Sequence, residues 1–313
     1  LATLNKLTSG FPRQRFNLKL KLTESEMSSQ ITTAFVNQFS SNVQLLSQQR
    51  GSLLRGSVSE ESVTGEKAFF DQVGSVAAVK RTSRHADTQI LDTPHSRRMV
   101  TMDSYEWADL IDDADKIRML IDPTSTYAQA AAAAMGRAMD DSIITAATGT
   151  SSTGSSGSTS TSMLSGNIIA HGSADLTIAK LISAKKILDE GSVDPSIPRY
   201  IAVAPAQVEA LLGTTQITSS DFNTVKALVA GEVDTFMGFK FIMSTRLAVA
   251  SNIRTCFAWA EDGVKLAVGK DVMAKIDERA DKSYSTQVFY CSTFGATRME
   301  EAKVVSVLCD ESA

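Results

Sequence analysis

Between Asp122 and Gly149 the chain reads DPTSTYAQAAAAAMGRAMDDSIITAATG, and its apolar residues recur at three- and four-residue steps. Ala128, Ala132, Met135, Met139, Ile143 and Ala146 fall on one helical face, while Arg137, Asp140 and Asp141 fall on another. Asp122 suits an N-cap, Pro123 the first helical position and Gly149 a left-handed C-cap. The spacing therefore predicts one long amphipathic helix, roughly 35–40 Å from end to end. Asp140 and Asp141 lie three and four residues beyond Arg137 and read as intrahelical ion pairs.

Elsewhere the period changes. Phe35, Val36, Phe39, Val43 and Leu46 predict a helix over residues 30–48. From 51 to 99 the chain breaks into short β-prone pieces interrupted by Gly and Ser, none able to close a core alone. Trp107, Leu110, Ile111 and Ala114 predict a short helix, and Ile117, Met119 and Ile121 a short strand leading into the long helix. After Gly149 the tract TSSTGSSGSTSTS has nothing apolar to bury and reads as a flexible loop. Residues 175–269 alternate between helical and strand patterns. A helix ending at Gly191 carries Ile178, Leu181, Ile182 and Leu188 on one face; RYIAVA is a strand; PAQVEALLG and SSDFNTVKALVAG are helices. Strands follow at 233–236, 239–244 and 255–260, with a turn at Asp262-Gly263, so a mixed sheet with helices on its faces is expected. The remaining chain is strand-like, with Val305, Val307 and Cys309 on one face of its last strand and Val304, Ser306 and Leu308 on the other.

Length and charge narrow the function. A chain of 313 residues can bury a sizeable core and form two subdomains. A net charge of −4 argues against a dedicated nucleic-acid binder or a polybasic membrane-surface protein. No apolar run approaches the roughly 20 residues that cross a bilayer. Residues 1–26 lack an apolar signal-peptide core and carry Lys6, Arg13, Arg15, Lys19 and Lys21 before any acid. They read as upstream sequence or as an arm that orders on assembly. Cys256, Cys291 and Cys309 form no CxxC spacing, which points to a reducing compartment such as the cytoplasm. The histidines are His85, His95 and His171, and no GxSxG, HExxH, EF-hand or deaminase signature is present. Gly149 and Gly154 match part of a phosphate-binding loop, but Ser155 replaces its lysine. Asp112, Asp113 and Asp115 read as a solvated or subunit-facing acidic run rather than a metal centre. We therefore assign no catalytic residue, cofactor or metal ligand.

Taken in order, PHSRRMVTMDSYEWADLIDDADK, the long helix, PRYIAVAPAQVEALLG, GEVDTFMGFKFIMST and DVMAKIDERADKSYSTQVFYCSTFGATRMEEAKVVSV resemble the major capsid proteins of tailed bacteriophages with the Hong Kong 97-like α+β fold. The likeness covers Met27 to about Asp310 and lies in the order of pieces rather than in any strict motif. It implies an N-terminal extension and arm (1–50), an E-loop (51–99), a peripheral domain with a spine helix (100–149), an axial domain (150–269) and a return to the peripheral domain (270–313). It further implies self-assembly into hexamers and pentamers of an icosahedral shell around double-stranded DNA, held by weak non-specific contact, with no membrane involved. The location would be the virion, after assembly in the host bacterial cytoplasm.

Portal and decoration proteins would be partners. A separate scaffolding protein is expected too, since no long acidic helical segment precedes the arm. A covalent cross-link cannot be assigned to Lys67 or Lys80. In such a shell the E-loop lies on an adjacent subunit, so Lys80, Arg81, Arg84, Arg97 and Arg98 become candidates for contact with Asp109, Asp112, Asp113 and Asp115 of a neighbour. An encapsulin-like cargo shell and a soluble α/β hydrolytic enzyme built on 175–269 are the competing readings.

Overall fold

A computed structural model describes residues 48–85, 87–112, 124–213 and 235–312. The expected helix over 30–48, the strand over 117–121, the helix at 219–231, the caps Asp122 and Pro123, and Asp113 and Asp115 lie outside these residues.

The expected long helix is α1, Thr124–Thr148. Met135, Met139 and Ile143 are buried as the spacing requires, but so are Ala131, Ala133, Ile144, Ala147 and Asp140, while Ala132 is exposed. The helix is covered on more than one side, and its small residues allow this. A Cβ on Gly136 would stand 2.3 Å from the carbonyl carbon of Gly51, so chain 48–54 crosses the helix at backbone contact. Gly149 ends the helix without left-handed backbone. Its N–H donates to the Thr145 carbonyl at 2.8 Å, and a Cβ there would stand 2.6 Å from the same oxygen.

The described strands form three sheets. The first runs β1-β13-β14-β4, with β1 Ser59–Ser62, β4 Asp103–Ile111, β13 Val264–Arg279 and β14 Ser285–Arg298. Residues 103–111 are thus a strand and not the helix their Trp107 and Leu110 spacing suggested. Exposure alternates along β4, Tyr105 stacks on Phe294 at 4.5 Å, and Trp107 registers with Tyr290 on β14. A free edge on a 14-residue strand outweighs a weak helical period.

The second, a 7-stranded sheet, runs β7-β15-β12-β8-β10-β9, with β7 Ile168–Ile169, β8 Arg199–Val203, β9 Thr235–Phe236, β10 Phe239–Met243, β12 Ile253–Ala260 and β15 Val304–Asp310; β11, Val249–Ala250, pairs with β12. Its helices are α2, Ile178–Glu190, capped by Thr177, and α3, Pro205–Gly213. The expected α/β alternation is therefore present, though Ile182 is 50% exposed rather than on the buried face. β13 runs through residues 269 and 270, and β15 returns to pair with β12.

In the third sheet, β2 (Lys67–Val73) pairs with β3 (His95–Thr101), then β5 (Ser151–Thr153) and β6 (Thr159–Thr161). The Ser/Thr/Gly tract is thus a hairpin and not a loose loop. Gly154 and Gly157 take φ of +91° and +69° in its turn, and Thr153 Oγ1 lies 3.1 Å from Thr161 Oγ1. Backbone bonds to the waiting edge of β3 supply what apolar burial could not.

One core joins the first two sheets, running from Leu181 and Leu188 through Trp259, Phe257 and Tyr200 to Met139, Ile143, Leu266 and Phe294. The third sheet rests on a smaller cluster of Ala68, Phe70, Val100, Met102, Ala267 and Met299.

Candidate subunit-contact site

The most exposed part of the described chain connects β2 to β3. Every described residue from Val73 to Asp92 is exposed, although the stretch holds Val76 at 53%, Val79 at 52% and Ile90 at 95% exposure. Burying one such side chain contributes about 1.5–3 kcal/mol relative to leaving it in water. The loop leaves Val76, Val79, Ile90 and Leu91 in water on the single subunit. Lys80, Arg81 and Arg84 stand in this loop; Arg81 Nε reaches the Ser83 carbonyl at 2.9 Å.

The other two basic candidates are committed within the chain. Arg97 faces Asp71 across β2–β3, with Nε to Oδ1 at 2.5 Å and Nη2 to Oδ2 at 3.1 Å, and it lies over the Phe69 ring. That guanidinium holds the Asp71 carboxyl below its ordinary value. Arg98 is buried and points back toward the body of the subunit. Of the acidic candidates, Asp109 sits on β4 opposite Val288 and accepts from its own neighbour, Leu110 N, at 2.8 Å. Asp112 follows β4 in an exposed position. The structure thus separates the five cations into three on the loop and two in its base.

That base holds groups no sequence pattern singled out. Arg98 Nη2 donates to Glu301 Oε2 at 2.5 Å, and Arg98 Nε to the Met299 carbonyl at 2.8 Å, which also accepts from Gln72 Nε2 at 2.7 Å. Glu301 Oε1 lies 3.7 Å from Nε of Arg298, a residue with no exposed surface. Arg298 Nη1 donates to the carbonyls of Ala147 (3.1 Å) and Gly149 (2.7 Å) at the end of α1, and Nη2 to that of Thr161 at 3.3 Å. A cation at a helix C-terminus meets the negative end of its dipole. Burial draws the Arg298 guanidinium down from its ordinary value, and Glu301 opposes that shift.

A second anchor lies midway along α1. Asp140 has no exposed surface and accepts from Ser52 Oγ (2.5 Å) and Leu54 N (3.1 Å) at Oδ1, and from Gln49 Nε2 (2.5 Å) and Leu53 N (3.1 Å) at Oδ2. Arg137 donates to Gln48 Oε1 and to the Gln49 carbonyl. Asp141 pairs with Arg246. These residues therefore bind other segments rather than one another. The signal that could have shown it is Gly51 with Gly136, two glycines where one backbone passes over another.

Among the described residues no group of three metal-ligating side chains occurs, and no helix is long and apolar enough to cross a membrane. Cys256 and Cys309 are buried, and the Cys256 thiol is pushed well above its ordinary value, first by Cys309 and then by burial.

The sequence model of the phage capsid protein family matches residues 31–311. No curated protein matches the chain. Among solved structures, the capsid of cyanophage P-SCSP1u aligns with TM-score 0.69 and 17% identity, covering 89% of this chain and 94% of that one. The capsid of Ralstonia phage GP4 aligns with TM-score 0.67 and 11% identity over 88% and 94%, and that of cyanophage Pam1 with 0.66 and 12% over 93% and 100%. At these identities the likeness is one of fold, and the fold is the Hong Kong 97-like type.

Proposed function

Since the chain belongs to the phage capsid protein family and is a tailed-phage major capsid protein, we propose that it assembles with itself into the hexamers and pentamers of an icosahedral shell around double-stranded DNA. The observation that carries this reading is the loop from Val73 to Asp92, which leaves large apolar side chains in water on the single subunit. The role is structural, without turnover. Assembly takes place in the host bacterial cytoplasm, with a separate scaffolding protein, a portal and decoration proteins as partners. Contact with DNA is weak and sequence-independent, because the net charge is −4 and affinity for DNA rests on phosphate neutralisation. The division into arm, E-loop, peripheral and axial domains belongs to the same proposal. The hydrolase reading loses its support with the family assignment.

Sedimentation and negative-stain micrographs of the purified protein test it: capsomers or closed shells are expected, and a stable monomer with catalytic turnover refutes it. Within the shell, Lys80, Arg81 and Arg84 meet acidic surface on a neighbour, Asp109 and the 112–115 run being the candidates. Each exposed pair contributes only about 0–1 kcal/mol, so the effect comes from repetition around the capsomer. Reversing Arg81 and Arg84 should lower particle yield, most at low salt, and Lys at Asp112 and Asp113 should restore it. Unchanged yield would make the basic run a solvated face.

A further inference from the structure

Among the described residues, the hydrogen bonds of the loop beyond Val73 and His95 stay within the loop, Gly74 N to the Pro94 carbonyl and Arg81 Nε to the Ser83 carbonyl. Its direction is set where β2 and β3 are held. The apolar cluster beneath them is small and non-directional, and such contacts tolerate pivoting. Apart from the backbone ladder between β3 and β5, the directional side-chain bonds from β2 and β3 to the body run to one short segment, the Met299 carbonyl and the Glu301 carboxylate. Glu301 stands between two buried guanidinia, one in the loop's base and one gripping the end of α1. Without its charge two like charges would face each other out of water, a strongly unfavourable arrangement.

We propose that Glu301 is a positioning residue: by bridging Arg98 to Arg298 it sets the angle at which the β2–β3 loop projects from α1, and so decides whether the loop meets its partner surface. This rests on the reading that the loop makes the subunit contact. An arm free to pivot is competent for only a fraction of the time, and apparent affinity falls by that fraction.

The test uses the full chain as unassembled subunits carrying spin labels at Val79→Cys and Lys186→Cys in a Cys291→Ser background, together with particle yield and thermal unfolding. In Glu301→Gln an amide replaces the shared carboxylate, and the inter-label distance distribution should broaden. Particle yield at limiting protein should fall roughly tenfold, as expected for an arm aimed correctly about a tenth of the time, while the subunit stays folded. Glu301→Asp, which keeps the charge, should recover part of both. Arg98→Gln serves as the second variant, with the same broadening expected. Ile90→Asp tests the underlying reading separately. If it leaves yield intact, the loop is not the contact. If it blocks assembly while Glu301→Gln changes neither distances nor yield, the positioning role is overturned. Failure of both Glu301→Gln and Arg98→Gln to fold would also overturn it, because the network would then hold the fold and not the aim.

Discussion

Replacing Asp140 by Asn separates hydrogen bonding from charge at the anchor of chain 49–54. The carboxylate offers each backbone N–H, Leu53 and Leu54, its own oxygen. Asn keeps one oxygen and turns its NH2 toward the other. Gln49 can rotate its amide and Ser52 its hydroxyl to suit, but a backbone N–H cannot reverse, so one of the two loses its partner. Leu54 is fully buried and Leu53 is 43% exposed, so the NH2 should face Leu53, whose amide has the better access to water. An orphaned buried donor costs about 1–3 kcal/mol, and exchanging charged for neutral bonds costs about 1 kcal/mol more. Relief from burying an ion offsets part of this. We expect a net loss of about 2 kcal/mol, with a larger loss for Asp140→Ala, which strands all four donors.

Hydrogen exchange is the direct assay: protection at Leu53 should fall roughly 30-fold, the ratio equivalent to about 2 kcal/mol, and at Leu54 by less. Thermal unfolding of the unassembled subunit should drop by about 4 °C. Unchanged or increased stability would show that burying this charge costs more than its four bonds return, and the anchor argument would fail.

The other predictions are simpler. Ile90→Asp should leave unfolding within about 0.5 kcal/mol, since the side chain is 95% exposed, yet sharply lower particle yield in sedimentation. Gly136→Ala gains up to about 1 kcal/mol of helix propensity but forces a Cβ into the Gly51 backbone, and overpacking of about 1–3 kcal/mol should win, lowering the unfolding temperature. The Glu311 carboxyl lies below its ordinary value because of Arg254 first and Gln207 second. Its stabilisation is therefore present above the ordinary glutamate range and lost as pH falls through the lowered folded value. Glu311→Gln should cost about 1 kcal/mol at neutral pH, discounted for partial exposure, and should flatten the acid limb of stability against pH.

The long helix was legible because Ala, Met and Ile repeat at its period over many turns, and α2, β8, α3 and β10 because Pro, Gly and Thr mark their ends. Residues 103–111 were not, because their burial on one face depends on β14, which follows them by more than 170 positions. The Ser/Thr/Gly tract was misread for a related reason: its order comes from the edge of β3, not from anything it contains. At the candidate contact site, Lys80, Arg81 and Arg84 read as a basic run and stand exposed on the loop. Arg97 and Arg98 look the same in sequence, but strand alternation sends one to Asp71 and the other inward to Glu301.

The tie between Arg98 and Glu301 spans 203 positions, that between Ser57 and Trp259 spans 202, and that between Glu61 and Lys265 spans 204. A ribosome adding about 5–20 residues each second needs about 10–40 s to cover such a separation. Through that interval the β2–β3 loop has been synthesised, apolar residues included, while Glu301, the partner of Arg98, has not. The base of the loop can therefore lock only after the final strands have been delivered.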